Sequence, residues 1–243
     1  MWALLNFIAA ELLKLKNNRL FLVATILALL IPAGMVCQES GRPDWWLETI
    51  GLENWARAEA QTSLLIIGPI LSGFVLTHMI QLEYSERTII SMLTAPVPRK
   101  ALLGSKLIVW LLWNVVIALE TWGVLAVGSY ILYPDLASAA AVLWIGSLVG
   151  KCTLLSVGLL LPVMAVSVWQ RKMFYPSLLL VFFLTMLSTL SYQTYPVLPF
   201  MAVNTLFSGG APAVYMLTAK ISLTLWAALG LSAAWLSFER QAL

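Results

Sequence analysis

From Met173 to Ala219 the chain runs 47 residues without one charged side chain. A bilayer core about 30 Å thick is crossed by about 20 apolar helical residues, so this stretch is too long for a single crossing and has to turn back. Pro196, Pro199, Gly209, Gly210 and Pro212 supply the interruption. Measuring the gaps between charges elsewhere gives spans at 20–38, 60–82, 107–133 and 139–169, and the divided stretch gives 173–192 and 213–237. Composition supports lipid as the solvent. The chain is 61% hydrophobic and 10% charged, and so few charges cannot coat a water-soluble domain of 243 residues. The expected fold is an all-α membrane protein of six transmembrane helices, a single domain spanning 1–243.

Charge placement gives the orientation, because cytoplasmic loops hold the excess of Lys and Arg. With the N-terminus inside, Lys14, Lys16, Arg19, Arg87, Arg99, Lys100, Lys106, Arg171, Lys172 and Arg240 are cytoplasmic, against Arg42 and Arg57 outside. Both termini are then cytoplasmic. Trp110, Trp113, Trp169 and Trp235 fall near inner span ends and Trp144 near an outer one, as an interfacial belt would have them. The net charge of +3 gives no reason to expect nucleic acid. Cys37 and Cys152 form no CxxC or metal-ligand spacing.

Residues 1–18 put Asn6, Glu11, Lys14 and Asn18 near one helical face and Leu4, Leu5, Ile8, Leu12 and Leu15 opposite. That pattern suits an amphipathic elbow in the inner interface; the alternative is a continuation of the first span. The cytoplasmic connection 84–98 is longer than a hairpin needs. Ser85 to Met92 can form a short helix exposing Ile89, Ile90 and Leu93, which Pro96 and Pro98 then stop. Such a helix offers a grip to a peripheral partner, or equally sits against lipid headgroups through its basic residues. The outer loop 39–59 carries Trp45, Trp46 and Trp55 among Asp44, Glu48, Glu53 and Glu59, and suits a helix lying Trp side down on the membrane. Its acids would attract cationic peptides, a rate effect that salt weakens.

Glu120 and Lys151 are charges inside spans, where insertion costs at least about 2.5–3.5 kcal/mol. Their estimated depths allow an ion pair between spans three and four; a substrate or gating role is the other reading. Residues 193–212, with Tyr195, Pro199, Phe200 and Phe207, are too apolar for a solvated loop and too broken for a span. They are expected to re-enter the outer leaflet, or to lie at the interface, since irregular backbone at depth must be buried or line a wet cavity. Pro69 and Pro162 are candidate kinks. His78, the single histidine, makes no metal site, and no GxxxxGK[ST] phosphate loop is present, so the chain itself is not expected to hydrolyse ATP.

The pattern Glu86, Thr88, Leu93, Pro96, Arg99, Gly104 and Lys106, with Glu11-Leu-Leu-Lys-Leu-Lys16 running into the first span, resembles the permease subunits of type 2 ABC exporters, most of all the small permeases that protect bacteria from lantibiotics or bacitracin. Where that pattern has a small residue ahead of Thr88, this chain has Arg87. The resemblance implies an elbow before six spans and an ATPase-coupling helix made by Glu86, Arg87, Thr88, Ile89, Leu93, Pro96 and Arg99. It also implies an outer gate at Tyr195, Pro199, Phe200 and Phe207, a second permease subunit, and two cytosolic ABC ATPases that bind ATP and Mg. By that likeness the protein is a multi-pass component of the bacterial cytoplasmic membrane, moves an amphipathic peptide or lipid-like substrate outward, and contributes to antibiotic resistance. The rival reading is an ATP-independent secondary transporter or channel, against which stand the lack of an internal repeat and of a second intramembrane acid.

Overall fold

A computed structural model describes residues 2–16, 18–85, 99–170, 175–190 and 196–239. They are helical throughout, with no strand among them. The helices are α1 (Trp2–Lys16), α2 (Arg19–Ser40), α3 (Asp44–Gln61), α4 (Gly68–Ser85), α5 (Arg99–Leu132), α6 (Ala139–Trp169), α7 (Tyr175–Leu190), α8 (Pro199–Ser208) and α9 (Ala213–Glu239). Five stretches are long and apolar enough to cross a membrane: Arg19–Ser40, Asp44–Leu82, Ala101–Leu132, Ala139–Trp169 and Ala213–Phe238. Where a sixth span is expected, α7 is a shorter apolar helix of 16 residues, about 24 Å of rise.

Local chemistry sets the boundaries. Asn18 caps α2 by accepting from the Leu20 amide at 3.0 Å, and Ser138 caps α6 by accepting from Ala141 at 3.2 Å. Pro199 opens α8, where its missing N–H removes no helical bond; Gly209 at φ 66° and Gly210 at φ 77° turn the chain away from its end. Between α3 and α4 the segment Thr62–Ile67 is a π-helix. Pro69 explains it, because its ring has no amide hydrogen and crowds the carbonyl four residues back, so the preceding turn widens. The Gly68 amide then bonds Ser63 O, an approach that a Cβ at Gly68, 2.8 Å from that oxygen, would obstruct.

One end of the bundle carries Asn18, Ser85, Arg99 and Gln170, and is called the Asn18 end. The other carries Ser40, Asp44 and Ser138, and is called the Pro134 end. The core lies where α4 is enclosed by α5, α6 and α7, with Leu76, Trp110, Leu159 and Met164 fully buried. α9 runs alongside α6 in the same direction, with Trp226 Nε1 donating to Leu159 O at 3.1 Å and Gly230 against the Pro162 ring.

Two expectations are corrected by this packing. Trp110 and Trp113 are not interfacial anchors. They are 0% and 3% exposed, and their indole N–H groups bond Ser72 O and Thr25 Oγ1 inside the protein. The helix of the first outer loop does not present all its tryptophans on one face either. Gly51, at φ 72°, breaks α3, so Trp45 stays exposed while Trp55 is buried against Tyr133.

Candidate functional site

The densest polar contacts lie in one turn of α4, residues 77–81, at the Asn18 end. The helical repeat sends successive side chains about 100° apart, so this turn reaches neighbours on several sides. Thr77, fully buried, bonds Ser177 Oγ of α7 at 3.0 Å and lies 3.2 Å from Ser167 Oγ of α6. His78 Nε2 accepts from Asn18 Nδ2 at 2.8 Å, in the tautomer that leaves that nitrogen bare. Lys106 of α5 donates to Met79 O at 3.0 Å, and Gln81 donates to Ser167 O at 3.3 Å. Gln170 closes the network by donating to Ser177 Oγ and accepting from the Ser177 amide.

Lys106 also forms an ion pair with Glu11 of α1, Nζ to Oε2 at 3.0 Å, with both side chains 5% exposed. Lys14 approaches the other oxygen of Glu11 at 3.3 Å. A buried charge is tolerated when its remaining hydrogen-bonding groups are met, and here the carboxylate takes two ammonium groups while Lys106 adds a carbonyl. The pair bolts α1 to the start of α5, and the Met79 bond bolts both to the end of α4. The two helices flanking residues 86–98 are therefore tied to each other, to the N-terminal helix, to the α1–α2 junction and, through Thr77 and Gln81, to α6 and α7.

Glu86, Arg87, Thr88, Ile89, Leu93 and Pro96 lie outside the described residues, as does Tyr195; Arg99 is the first residue of α5. Glu120 and Lys151 are not brought together. Trp122 faces α6, donating to Val142 O, and Glu120, two residues earlier, is turned about 200° away. Lys151 instead donates to Phe207 O at 3.3 Å, while Glu120 Oε2 is buried with no hydrogen-bond partner. Phe207 is buried, Phe200 is half-buried, and Pro199 begins α8. α8 packs among α6, α7 and α9, and Asn204 donates to Ser188 O. Lys151, which α8 meets, stands about 18 Å of helix rise from Ala139.

The node at residues 77–81 is not among the sequence expectations, although Thr77, His78 and Gln81 inside an apolar run are a readable signal. Their partners are 60 to 100 residues away in the chain, which no spacing rule reports.

No curated protein matches the chain. Residues 7–188 match the family described as ABC-2 family transporter protein, a range that holds α2 to α6 whole, most of α1 and α7, and every residue of the node. Members are membrane transport components that associate with ABC ATPases. With most of its length matched and several apolar helices able to cross a bilayer, the chain belongs to the ABC-2 transporter family as a multi-pass membrane permease.

Proposed function

We propose that the chain is the permease subunit of an ATP-driven exporter that moves an amphipathic peptide or lipid-like substrate outward, as in self-protection against antimicrobial peptides. In this reading the Asn18 end is cytosolic, two ABC ATPases bind ATP and Mg, and residues 86–99 receive their movement. A second permease subunit completes the path. The observation that carries this reading is the node. A displacement of residues 86–98 acts on α4 and α5, and the bonds of Thr77, His78, Met79, Gln81 and Lys106 pass it to α1, the α1–α2 junction, α6 and α7. ATP binding by the partner then shifts the permease between discrete packings.

Two further features fit. α8 is held between α7 and α9 and bonded to Lys151, which suits the proposed outer gate of Tyr195, Pro199, Phe200 and Phe207. Apolar grooves of about 580 Å³ lie along α2, α4 and α7, bordered by Leu27, Phe74 and Phe182, and along α5 and α6, bordered by Leu119 and Leu154, and either would accept a second subunit.

Reconstitution tests the exporter reading. The chain and its co-purifying ATPase in vesicles are expected to translocate a dye-labelled amphipathic peptide or a fluorescent phospholipid only with ATP and Mg, and to stop when the ATPase is inactivated. Movement by the chain alone at the same rate without ATP would show the secondary carrier instead.

A further inference from the structure

At the Pro134 end, α2, α3 and the residue that follows α5 bring together polar groups that nothing among the described residues satisfies. Glu59 of α3 is 5% exposed, makes no hydrogen bond, and has its Oε2 fully buried. Glu39, in the last turn of α2, lies close enough to repel it; one Glu39 oxygen reaches Arg42 at 3.7 Å and the other is buried without a partner. Tyr133, 6% exposed, has its hydroxyl buried and unsatisfied, and its ring lies 5.7 Å from Trp55, whose own N–H is also unpaired. Glu39 lies close enough for its charge to act on Tyr133 as well.

Buried polar groups are almost always bonded, so a cluster of several unbonded ones at one place calls for an explanation, of which a bound water, ion or ligand is one. The arginines nearby leave these oxygens unmet: Arg42 reaches only Glu39 Oε1 while it stacks on Trp46 at 5.0 Å, and Arg57 stacks on Trp144 at 5.4 Å. A cation that donates hydrogen bonds would meet these oxygens. The unmet acceptors are three oxygens, Glu39 Oε2, Glu59 Oε2 and Tyr133 Oη, and a primary ammonium carries three N–H donors. The paired rings of Trp55 and Tyr133 add the π surface that such a cation favours. A calcium ion would ask for six to eight oxygens, and no set of three acidic, histidine or cysteine ligands exists among the described residues. Tyr133 also borders a cavity of about 250 Å³ lined by Asp44, Glu48 and Asp135, which concentrates cations beside the cluster.

We propose that Glu39, Glu59 and Tyr133, walled by Trp55, form a binding site for a primary ammonium group. The ammonium is that of a soluble amine or of an aminophospholipid headgroup. The site rests on this cluster alone and holds whether or not residues 86–98 meet an ATPase.

The test is calorimetric titration of the full chain in detergent with n-butylammonium chloride. Saturable binding is expected, weakened about tenfold or more by Glu59→Gln and a few-fold by Tyr133→Phe. Tetramethylammonium, which has no N–H donor, is expected to bind at least about tenfold more weakly. Tyr133→Phe keeps the ring and serves if Glu59→Gln does not fold. Absence of saturable binding, equal affinity for tetramethylammonium, equal displacement by sodium or calcium, or unchanged affinity in folded Glu59→Gln and Tyr133→Phe would each overturn the site. Repeating the titration in nanodiscs of phosphatidylethanolamine and of phosphatidylcholine names the source. Weaker apparent binding in the former identifies the headgroup, and equal binding identifies a soluble amine.

Discussion

Replacing Lys106 by Met is expected to cost the folded protein about 3–5 kcal/mol, the loss that follows when one partner of a buried pair is removed and the other stays charged. Glu11 would keep only Lys14, whose side chain is 33% exposed, and the bond to Met79 O would vanish with the ammonium. The destabilisation is not simply the worth of the contact, because most of it is the desolvated carboxylate left behind. The double change Glu11→Gln with Lys106→Met removes both charges, and is therefore expected to recover much of the stability lost by the single change. Thermal unfolding of the four proteins in detergent gives the coupling. If Lys106→Met unfolds at the same temperature as the parent, or if the double change is as unstable as the two singles added, Glu11 and Lys106 do not act as a pair.

Gly230→Leu is expected to separate α9 from α6. A Cβ at Gly230 would stand 2.5 Å from Pro162 Cα and 2.6 Å from its nitrogen, and these are backbone atoms that cannot rotate aside. Small residues allow membrane helices to approach this closely. Overpacking costs about 1–3 kcal/mol where side chains can adjust, so a clash with the backbone belongs at the upper end of that range. The Trp226 bond to Leu159 O and the packing of Leu223 beside Gly158 lie within two turns and would be strained with it. Gly150→Ala is the control, because a Cβ there meets open space; it is expected to leave stability unchanged or raise it by up to about 1 kcal/mol, as Ala replaces Gly inside a helix. Equal unfolding temperatures for Gly230→Leu and Gly150→Ala would refute the close approach of α6 and α9.

The helical, multi-pass architecture is legible in the sequence because bilayer thickness sets the length of a charge-free run, and length is a one-dimensional quantity. What spacing along the chain cannot supply is azimuth. The depths of Glu120 and Lys151 permit a pair, yet Trp122 takes the face of α5 that meets α6 and leaves Glu120 pointing elsewhere. Trp110 and Trp113 likewise sit at the level of an interfacial belt but on the side of α5 that meets α4 and α2. The clamp between Glu11 and Lys106 joins residues 95 positions apart, and each alone reads as an ordinary interfacial charge. The break in α3 rests on the positive φ of Gly51, a single glycine among tryptophans with no turn partner beside it in the sequence. α8 is anticipated only as an interrupted apolar segment, since its order comes from packing on α6, α7 and α9 rather than from its own ten residues.

The proposed coupling brings motion into this permease from the cytosol through residues 86–98 and the α4 turn that precedes them in the chain. Site-specific crosslinking of the complex in native membranes tests it most directly, with Cys37 and Cys152 replaced by Ser and single cysteines placed at Thr88, Leu93 and Pro96 and, as controls, at Asp135 and Gly209. The expected result is a crosslink to a P-loop ATPase from the first three positions, altered in yield by ATP, and none from the two controls. An ATPase captured equally from all five positions, or from none of the first three in a folded and functional permease, would contradict it.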